Sequence, residues 1–192
     1  MALIVAVDSL IDLPTLTERA LHPKSPWVRP SLPAGEGAAA LLVASPDGAR
    51  ARSMPVVGTI LGAATTQGTS TDDDDSVVDG AAMTAVLRQL PDGAKIGAAY
   101  GQNSVDDLRF DEWQFAVARS ADRFAMDHEA VTPEERTGET GAAAGAMALA
   151  YGLAVQRHGT AGRDVARWSP FVAWSISRDG ARGAALVAGD AR

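Results

Sequence analysis

Two glutamates mark the stretch of sequence that most suggests chemistry. Glu139 lies within the Gly/Ala-rich segment GETGAAAGA (138–146), which has the composition of a helix entrance at an active site, and Glu134 lies just before it. Paired carboxylates can serve as acid and base in a hydrolase or as ligands of a hard cation. They can also be ordinary acids near a helix start, where negative charge favours the helix dipole. We favour this last interpretation.

The other polar candidates indicate less. The acidic run Asp72–Asp75 could attract a divalent cation, but it lacks the spacing of a calcium-binding loop, so we expect a solvated loop. No metal-ligand spacing joins His22, His128 and His158. Ser104 lacks the support of a nearby His and Asp. The absence of cysteine removes thiolate metal ligands and a thiolate nucleophile. We therefore expect no metal and no cofactor.

Composition and charge exclude several classes of function. The chain has 192 residues, 46% of them hydrophobic, which is typical of a single globular domain over residues 1–192. The net charge is −7 and the basic residues are scattered, so no nucleic-acid partner is expected. No apolar run is long enough to span a bilayer. Asp8 also interrupts the apolar start in a way that argues against a signal peptide. We expect a cytoplasmic protein with no membrane partner.

Apolar periodicity predicts an α/β fold in which a mixed sheet of five to six strands has helices on both faces. The run ALIVAVDS (2–9) predicts a central strand covered on both faces. The segment 138–159 predicts a long helix that ends at Gly159. The stretch from residue 125 to Pro133 predicts irregular structure. The remaining predicted elements are strands at 35–45, 55–66, 94–102, 169–177 and 181–189, and helices at 13–21, 77–90 and 109–124.

Five segments follow one another along most of the chain: ALIVAVDS, PAGEGAAALLVAS, IGAAYGQNSVDD, EERTGETGAAAGA and SPFVAWSISRDGARGAALV. In this order they resemble the β-ketoacyl synthases of the thiolase-like fold. The third resembles a strand that ends in a His-Gly-Thr-x-Thr motif, and the fourth resembles a Lys-x-x-x-Gly-His-x-x-Gly-Ala-Ala-Gly motif. The last resembles a closing Asn-Ser-Phe-Gly-Phe-Gly-Gly hairpin. The resemblance implies a thiolase-like half, mostly the C-terminal half of such a synthase.

The residue types that catalyse the reaction in that family are replaced in this chain. The resemblance implies a family reaction in which a cysteine, two histidines and a lysine join an acyl thioester to a malonyl-type extender. Tyr100 stands at the first histidine, Glu134 at the lysine and Glu139 at the second histidine. Such a reaction needs donors aimed at a developing oxyanion, which ionised carboxylates would repel. We therefore predict a pseudoenzyme with no catalytic residue, in which these three positions are vestigial.

The resemblance covers mostly one half of a synthase, and the absence of the other half predicts a protein partner. In the family each half covers the inner face of the other, so we expect an exposed apolar face on the helix 138–156. The expected function is protein binding, as an adaptor, chaperone or scaffold subunit, with a second copy or a separate thiolase-like chain. Alternatives are half of a split acyltransferase or ketosynthase completed by a partner chain, and a small hydrolase with Glu139 as base. The candidate interface residues are Trp27, Trp168, Met147 and Tyr151.

Overall fold

The computed structural model describes residues 1–21, 32–68, 78–101, 107–159, 168–177 and 179–189. These residues form seven strands and six α-helices. The strands are β1 (Ala2–Ser9), β2 (Glu36–Val43), β3 (Gly58–Gln67), β4 (Ile96–Gly101), β5 (Phe124–Val131), β6 (Phe171–Ile176) and β7 (Ala181–Gly189). The helices are α1 (Leu13–Leu21), α2 (Pro46–Arg50), α3 (Ala81–Gln89), α4 (Asp107–Arg119), α5 (Glu134–Thr137) and α6 (Ala144–His158).

Five of the strands form one mixed sheet in the order β3-β7-β6-β4-β5. The central strand β6 is antiparallel to β7, with which it forms a hairpin, and parallel to β4. Strand β4 is also parallel to β5, while β3 is antiparallel to β7. Parallel neighbours need a crossover connection, and α4 links β4 to β5 in this way. The mixed α/β architecture with a five-stranded sheet confirms the predicted fold class.

Helices cover both faces of this sheet, as predicted. On one face α3 and α4 pack against alternate residues of β4, β6 and β7, and Trp113 of α4 stacks on Trp174 of β6 at 4.4 Å between ring centroids. On the other face α6 packs against Tyr100 and Phe171. Apart from Ile96, next to the irregularity in the β4–β5 pairing, the strand residues divide between the two cores by parity, because successive side chains of a strand point to opposite faces.

Strands β1 and β2 form a separate two-stranded antiparallel sheet, which we call the ribbon. The strand prediction for residues 2–9 is confirmed, but its covered central position is wrong, because Leu3, Val5 and Val7 are 64%, 59% and 69% exposed. Among the described residues, no further strand pairs with β1 and no element covers this side of it. A continuous apolar run identifies a strand but not the layer that packs on it.

The helix α6 is not the exposed apolar face that was expected for residues 138–156. Its residues Ala144, Ala148, Gly152 and Val155 are buried, and its larger apolar side chains are at least partly covered. The reason is that α6 lies between the five-stranded sheet and the ribbon, which together cover it. Most of the exposed large apolar residues of the described chain lie elsewhere, in residues 1–21 and in β2.

Two further segments differ from the prediction. Residues 124–131 form β5, an edge strand parallel to β4, where irregular structure was expected. The long helix predicted over 138–159 begins only at Ala144, because Gly138 and Gly141 have φ of +76° and +54°, outside the helical region. Its predicted end is confirmed, since the Gly159 N–H donates to the carbonyl of Val155 at 2.8 Å.

Candidate functional site

The backbone around Glu139 is fixed against the segment that leads into β2. The Glu139 N–H donates to the Pro33 carbonyl at 2.8 Å, and the Glu139 carbonyl accepts from the Gly35 N–H at 2.9 Å. The approach requires glycine, because a Cβ on Gly35 would lie 2.3 Å from the carbonyl oxygen of Thr137. This arrangement leaves the Glu139 side chain inside the fold, where the residue is 3% exposed.

The second glutamate, Glu134, lies in the first turn of α5 and is 2% exposed. Its Oε1 accepts hydrogen bonds from the backbone N–H of Thr140 at 3.1 Å and from the Thr140 hydroxyl at 3.4 Å. Its Oε2 receives no hydrogen bond from any described residue. A buried carboxylate with one oxygen unsatisfied is costly to ionise.

The pKa of Glu134 reflects this environment. The pKa of Glu134 is raised to about 7, mainly by burial, and the neighbouring charge of Glu139 acts in the same direction. The hydrogen bonds from Thr140 and the charge of Arg109 act in the opposite direction without cancelling the effect of burial. Near neutral pH this carboxyl therefore exchanges between its protonated and ionised forms.

Arg109 connects the two glutamates electrostatically. Its Nη2 lies 3.7 Å from Oε1 of Glu139, with both side chains at most 4% exposed. Its Nη1 donates to the carbonyl of Ile176 at 3.5 Å, which ties α4 to the end of β6. We call Arg109, Glu134 and Glu139 the buried ion cluster. With Glu134 protonated, the cluster contains one positive and one negative charge, which is the state that burial favours.

Tyr100 has different surroundings. It lies in β4 with no exposed surface, and its ring packs edge-on against Phe171, with 5.2 Å between centroids, and against Tyr151 at 5.9 Å. Gly152 lets α6 approach this closely, since a Cβ there would lie 2.9 Å from Tyr100 Cδ2. Burial raises the pKa of Tyr100, so the phenol remains protonated across the physiological range. The side chain is packed as a core aromatic.

The structure thus brings Glu134 and Glu139 together around Arg109, while the ring contacts of Tyr100 lie in the core under α6. Glu134 does lie in the first turn of α5, but its raised pKa shows that this environment does not favour a negative charge. The first-turn interpretation is wrong for Glu139, which precedes α6 in a bridge with Ala34. Whether the three positions are vestigial stays a prediction. Trp27, His22, the run 72–75 and Ser104 lie outside the described residues.

Three predicted interface residues can be placed. Trp168 is 2% exposed and belongs to the core that contains Tyr100, so this chain itself covers its side chain. Met147 and Tyr151 are half-buried on α6. The Met147 side chain faces the ribbon, because its Sδ lies where a Cβ on Gly37 would stand. An interface role for Met147 and Tyr151 stays a prediction.

Sequence reasoning missed three charged residues. Arg109 stands one turn before Trp113 and two turns before Ala116, on the α4 stripe that faces the core, and this spacing was the signal that could have identified it. Arg182 forms a buried ion pair with Glu112 at 2.7 Å, which joins β7 to α4. No local pattern marks that pair, because its members are 70 residues apart.

Asp8 is a further residue whose contact was not foreseen. Its Oδ2 accepts a hydrogen bond from the Ala142 N–H at 2.7 Å, in the 3₁₀ turn that precedes α6. A carboxylate at this end of a helix satisfies a free N–H and favours the helix dipole. Asp8 thereby attaches the ribbon to the start of α6.

Two other kinds of site are absent from the described parts of the chain. No group of three or more His, Cys, Asp or Glu side chains there is placed to hold a metal ion. None of the helices described above is both long enough and apolar enough to cross a lipid bilayer.

No protein-family model and no curated protein matches the sequence. Solved structures, however, match almost the whole chain. The ketosynthase from module 6 of the bacillaene synthase of Bacillus subtilis 168 is 11% identical with a TM-score of 0.71, and the match covers 98% of this chain and 41% of that one. The ishigamide ketosynthase/chain length factor is 20% identical with a TM-score of 0.65, covering 97% and 48%.

A third match is the complex of a type II polyketide synthase acyl-carrier protein with its ketosynthase bound to the hexaketide. It is 12% identical with a TM-score of 0.70, covering 98% of this chain and 56% of the other. At these identities the matches establish the fold, which is the thiolase-like fold of ketosynthases. The chain spans 41% to 56% of the length of these three proteins.

Proposed function

We propose that this chain is a non-catalytic, ketosynthase-like protein that acts by binding another protein. The observation that carries the proposal is the buried ion cluster. The positions that by resemblance belong to the lysine and the second histidine of the synthases contain Glu134 and Glu139, both buried, with Glu139 paired to Arg109. Side chains enclosed in this way contact the protein itself and not the solvent.

The chemistry of this cluster supports the absence of condensation activity. A decarboxylative condensation builds negative charge on an oxygen, and each donor aimed at that oxygen contributes about 10²–10³ in rate. An ionised Glu139 cannot donate a hydrogen bond. Glu134 is 2% exposed, and its Oε1 already accepts from Thr140. The chain also has no cysteine that could hold an acyl group as a thioester.

The distribution of exposed apolar residues supports a binding role. Fifteen large apolar side chains among the described residues are exposed. Nine of them lie in residues 1–21 and a tenth in β2, so the ribbon and α1 contain most of this surface. A contiguous apolar surface of this kind usually marks a site of protein interaction. Two of the similar structures are named as assemblies, one a ketosynthase/chain length factor and one a ketosynthase with a carrier protein.

A second candidate function is one half of a split ketosynthase that a partner chain completes. The observation that favours it is the span of the chain, which matches only 41% to 56% of ketosynthases of the same fold. In that case the partner must supply the cysteine, because this chain has none. Tyr100 is then the side chain of this half that could donate to an oxyanion, although its ring is packed in the core.

A condensation assay tests the proposal. The purified chain is incubated with acetyl and malonyl thioesters of pantetheine, and release of carbon dioxide and formation of the β-ketoacyl product are followed. We expect no product above a protein-free control. Turnover that Glu139→Gln abolishes would contradict the proposal. Turnover that appears only with a co-purified partner, and is lost in Tyr100→Phe, would establish the split enzyme.

A further inference from the structure

The outer side of the ribbon is an uninterrupted apolar surface. In the antiparallel register Leu3 pairs with Leu42, Val5 with Ala40 and Val7 with Ala38, and residues paired in this way project from the same face. We call these six residues the ribbon face: Leu3, Val5, Val7, Ala38, Ala40 and Leu42. All six are exposed, and none carries a polar side chain.

The free edge of β1 adds a second binding element. Within the described ranges β1 pairs only with β2, so its other edge presents backbone N–H and C=O groups that can pair with another strand. Proteins usually protect such an edge with charges, proline or a bulge, but the run Ala2–Val7 contains none of these. A two-stranded sheet needs further strands or a packed helix for stability. Here α6 packs on the inner side of the ribbon, while the edge of β1 remains open to a third strand.

The helix that follows β1 in the sequence also has exposed apolar side chains. Leu13, Leu16 and Leu21 of α1 are 77%, 41% and 71% exposed. A partner that buries this region must therefore cover a sheet face, extend a sheet edge and contact an apolar helix.

A second copy of the chain fits these demands poorly. Stacking one ribbon face on another would cover the faces but leave both edges of β1 free. Pairing β1 with β1 of the second copy would use the edges but leave the faces exposed. Each copy also carries a net charge of −7, which opposes self-association. A partner with both a strand and a layer of helices, in an α/β arrangement, meets all the demands at once.

We infer that the ribbon face and the β1 edge bind a separate α/β chain of the thiolase-like fold, which adds a strand beside β1 and packs helices on the ribbon face. This chain spans 41% to 56% of ketosynthases that share its fold, so the remaining 59% to 44% of those proteins has no counterpart here. The partner corresponds to that part. The inference rests on the proposed binding function and names the partner and the surface.

Site-specific photo-crosslinking of the full chain in its native host tests the inference. One variant carries p-benzoyl-phenylalanine at Val5, on the ribbon face. The matched control carries it at Met126, which is also an exposed apolar strand residue but lies on β5 in the other sheet. We expect the adduct from position 5 to contain a thiolase-like chain, identified by its peptides, at least tenfold more abundantly than the adduct from position 126.

Three results would overturn the inference: crosslinks from position 5 only to a second copy, crosslinks to a chain without the thiolase-like fold, or none at all. A partner crosslinked from position 126 but not from position 5 would leave the proposed binding function intact and refute only the assigned surface. Turnover of thioesters by the chain alone would refute the proposed function and leave the surface standing.

A pair of charge substitutions gives an independent measurement. Val5→Lys places a charge in the ribbon face, and we expect it to lower recovery of the partner by at least tenfold. Met126→Lys makes the same change on β5 and should leave recovery unchanged. Far-UV circular dichroism of both variants checks that the chain is folded, so that loss of recovery in a folded Val5→Lys protein reports on binding. Equal recovery with both variants would refute the assigned surface.

Discussion

The central strand β6 and the ribbon strand β1 are built from similar residues but have opposite surroundings. Val172 of β6 has no exposed surface, since helices cover both faces of its sheet, whereas Val5 of β1 is 59% exposed. Both strands are mostly apolar, and both form backbone ladders. The difference shows that apolar composition makes a strand form, while burial depends on which layers of the fold are present to pack on it.

The most severe change should come from the buried ion pair of the five-stranded part. In Arg182→Met the carboxylate of Glu112 loses the Nε and Nη2 donors that now bind it at 2.7–3.1 Å. Removing one member of a buried pair leaves an uncompensated charge, so the free energy of unfolding should fall by about 3–5 kcal/mol in urea titrations. Arg50→Met, which removes an exposed ion pair with Asp47, should leave that free energy unchanged. A small loss in Arg182→Met would contradict the buried geometry.

Truncating one leucine in each sheet should show directly which sheet face is covered. Leu186 of β7 is 4% exposed and Leu3 of β1 is 64% exposed. Leu186→Ala creates a cavity in the core and should cost about 2–5 kcal/mol in the free energy of unfolding. Leu3→Ala should cost less than about 0.5 kcal/mol in the purified chain, because little burial is lost. Equal losses would mean that the ribbon face is already covered.

A pH-dependent prediction concerns the buried ion cluster. The pKa of Glu134 rises from 4.5 to about 7 in the folded protein. The folded state therefore holds this proton more tightly than the unfolded state, and stability is lost as pH rises from 4.5 to 7. Glu134→Gln removes that loss. It should raise the free energy of unfolding by roughly 3 kcal/mol at pH 8 and leave it nearly unchanged at pH 4. Parallel pH profiles of the two proteins would refute the shift.

The smallest expected effect concerns the attachment of the ribbon to α6. Asp8→Ala removes the acceptor for the Ala142 N–H and should lower the free energy of unfolding by about 1 kcal/mol. Hydrogen exchange should also quicken at the Ala142 amide. Asp8→Asn keeps an acceptor oxygen and should lose less. If exchange at Ala142 is unaffected in Asp8→Ala, the ribbon is held by other contacts.

Local patterns were sufficient for much of the fold. The hairpin of β6 and β7 and the end of α6 at Gly159 follow from turn chemistry and apolar periodicity. Strand β5 was missed because Asp127, His128 and Glu129 interrupt its apolar pattern, and its pairing with β4 depends on a contact distant in sequence. The exposure of β1 was not predicted, because it depends on which other elements of the fold pack on the strand and not on the sequence of the strand itself.

The candidate site was predictable only in part. The resemblance assigned Glu134 and Glu139 to two positions of one motif, and in the structure both are influenced by the same Arg109. The raised pKa of Glu134 could not be foreseen, because it depends on burial, which the charge of Arg109 on a different helix offsets only in part. The resemblance also placed Tyr100 at a position of the family's active site. Its packing against Phe171 could not be predicted, because it depends on how closely α6 approaches β4.

The edge of β1 also has a consequence for how this protein must be produced. The run ALIVAV has high β-propensity, no charge and no proline, which are the features of segments that stack into cross-β fibrils when exposed. We therefore expect copies whose ribbon face is uncovered to precipitate. If the proposed companion chain covers it, the cell has to keep the synthesis of the two polypeptides in step, a matter of dosage that the residues of one strand determine.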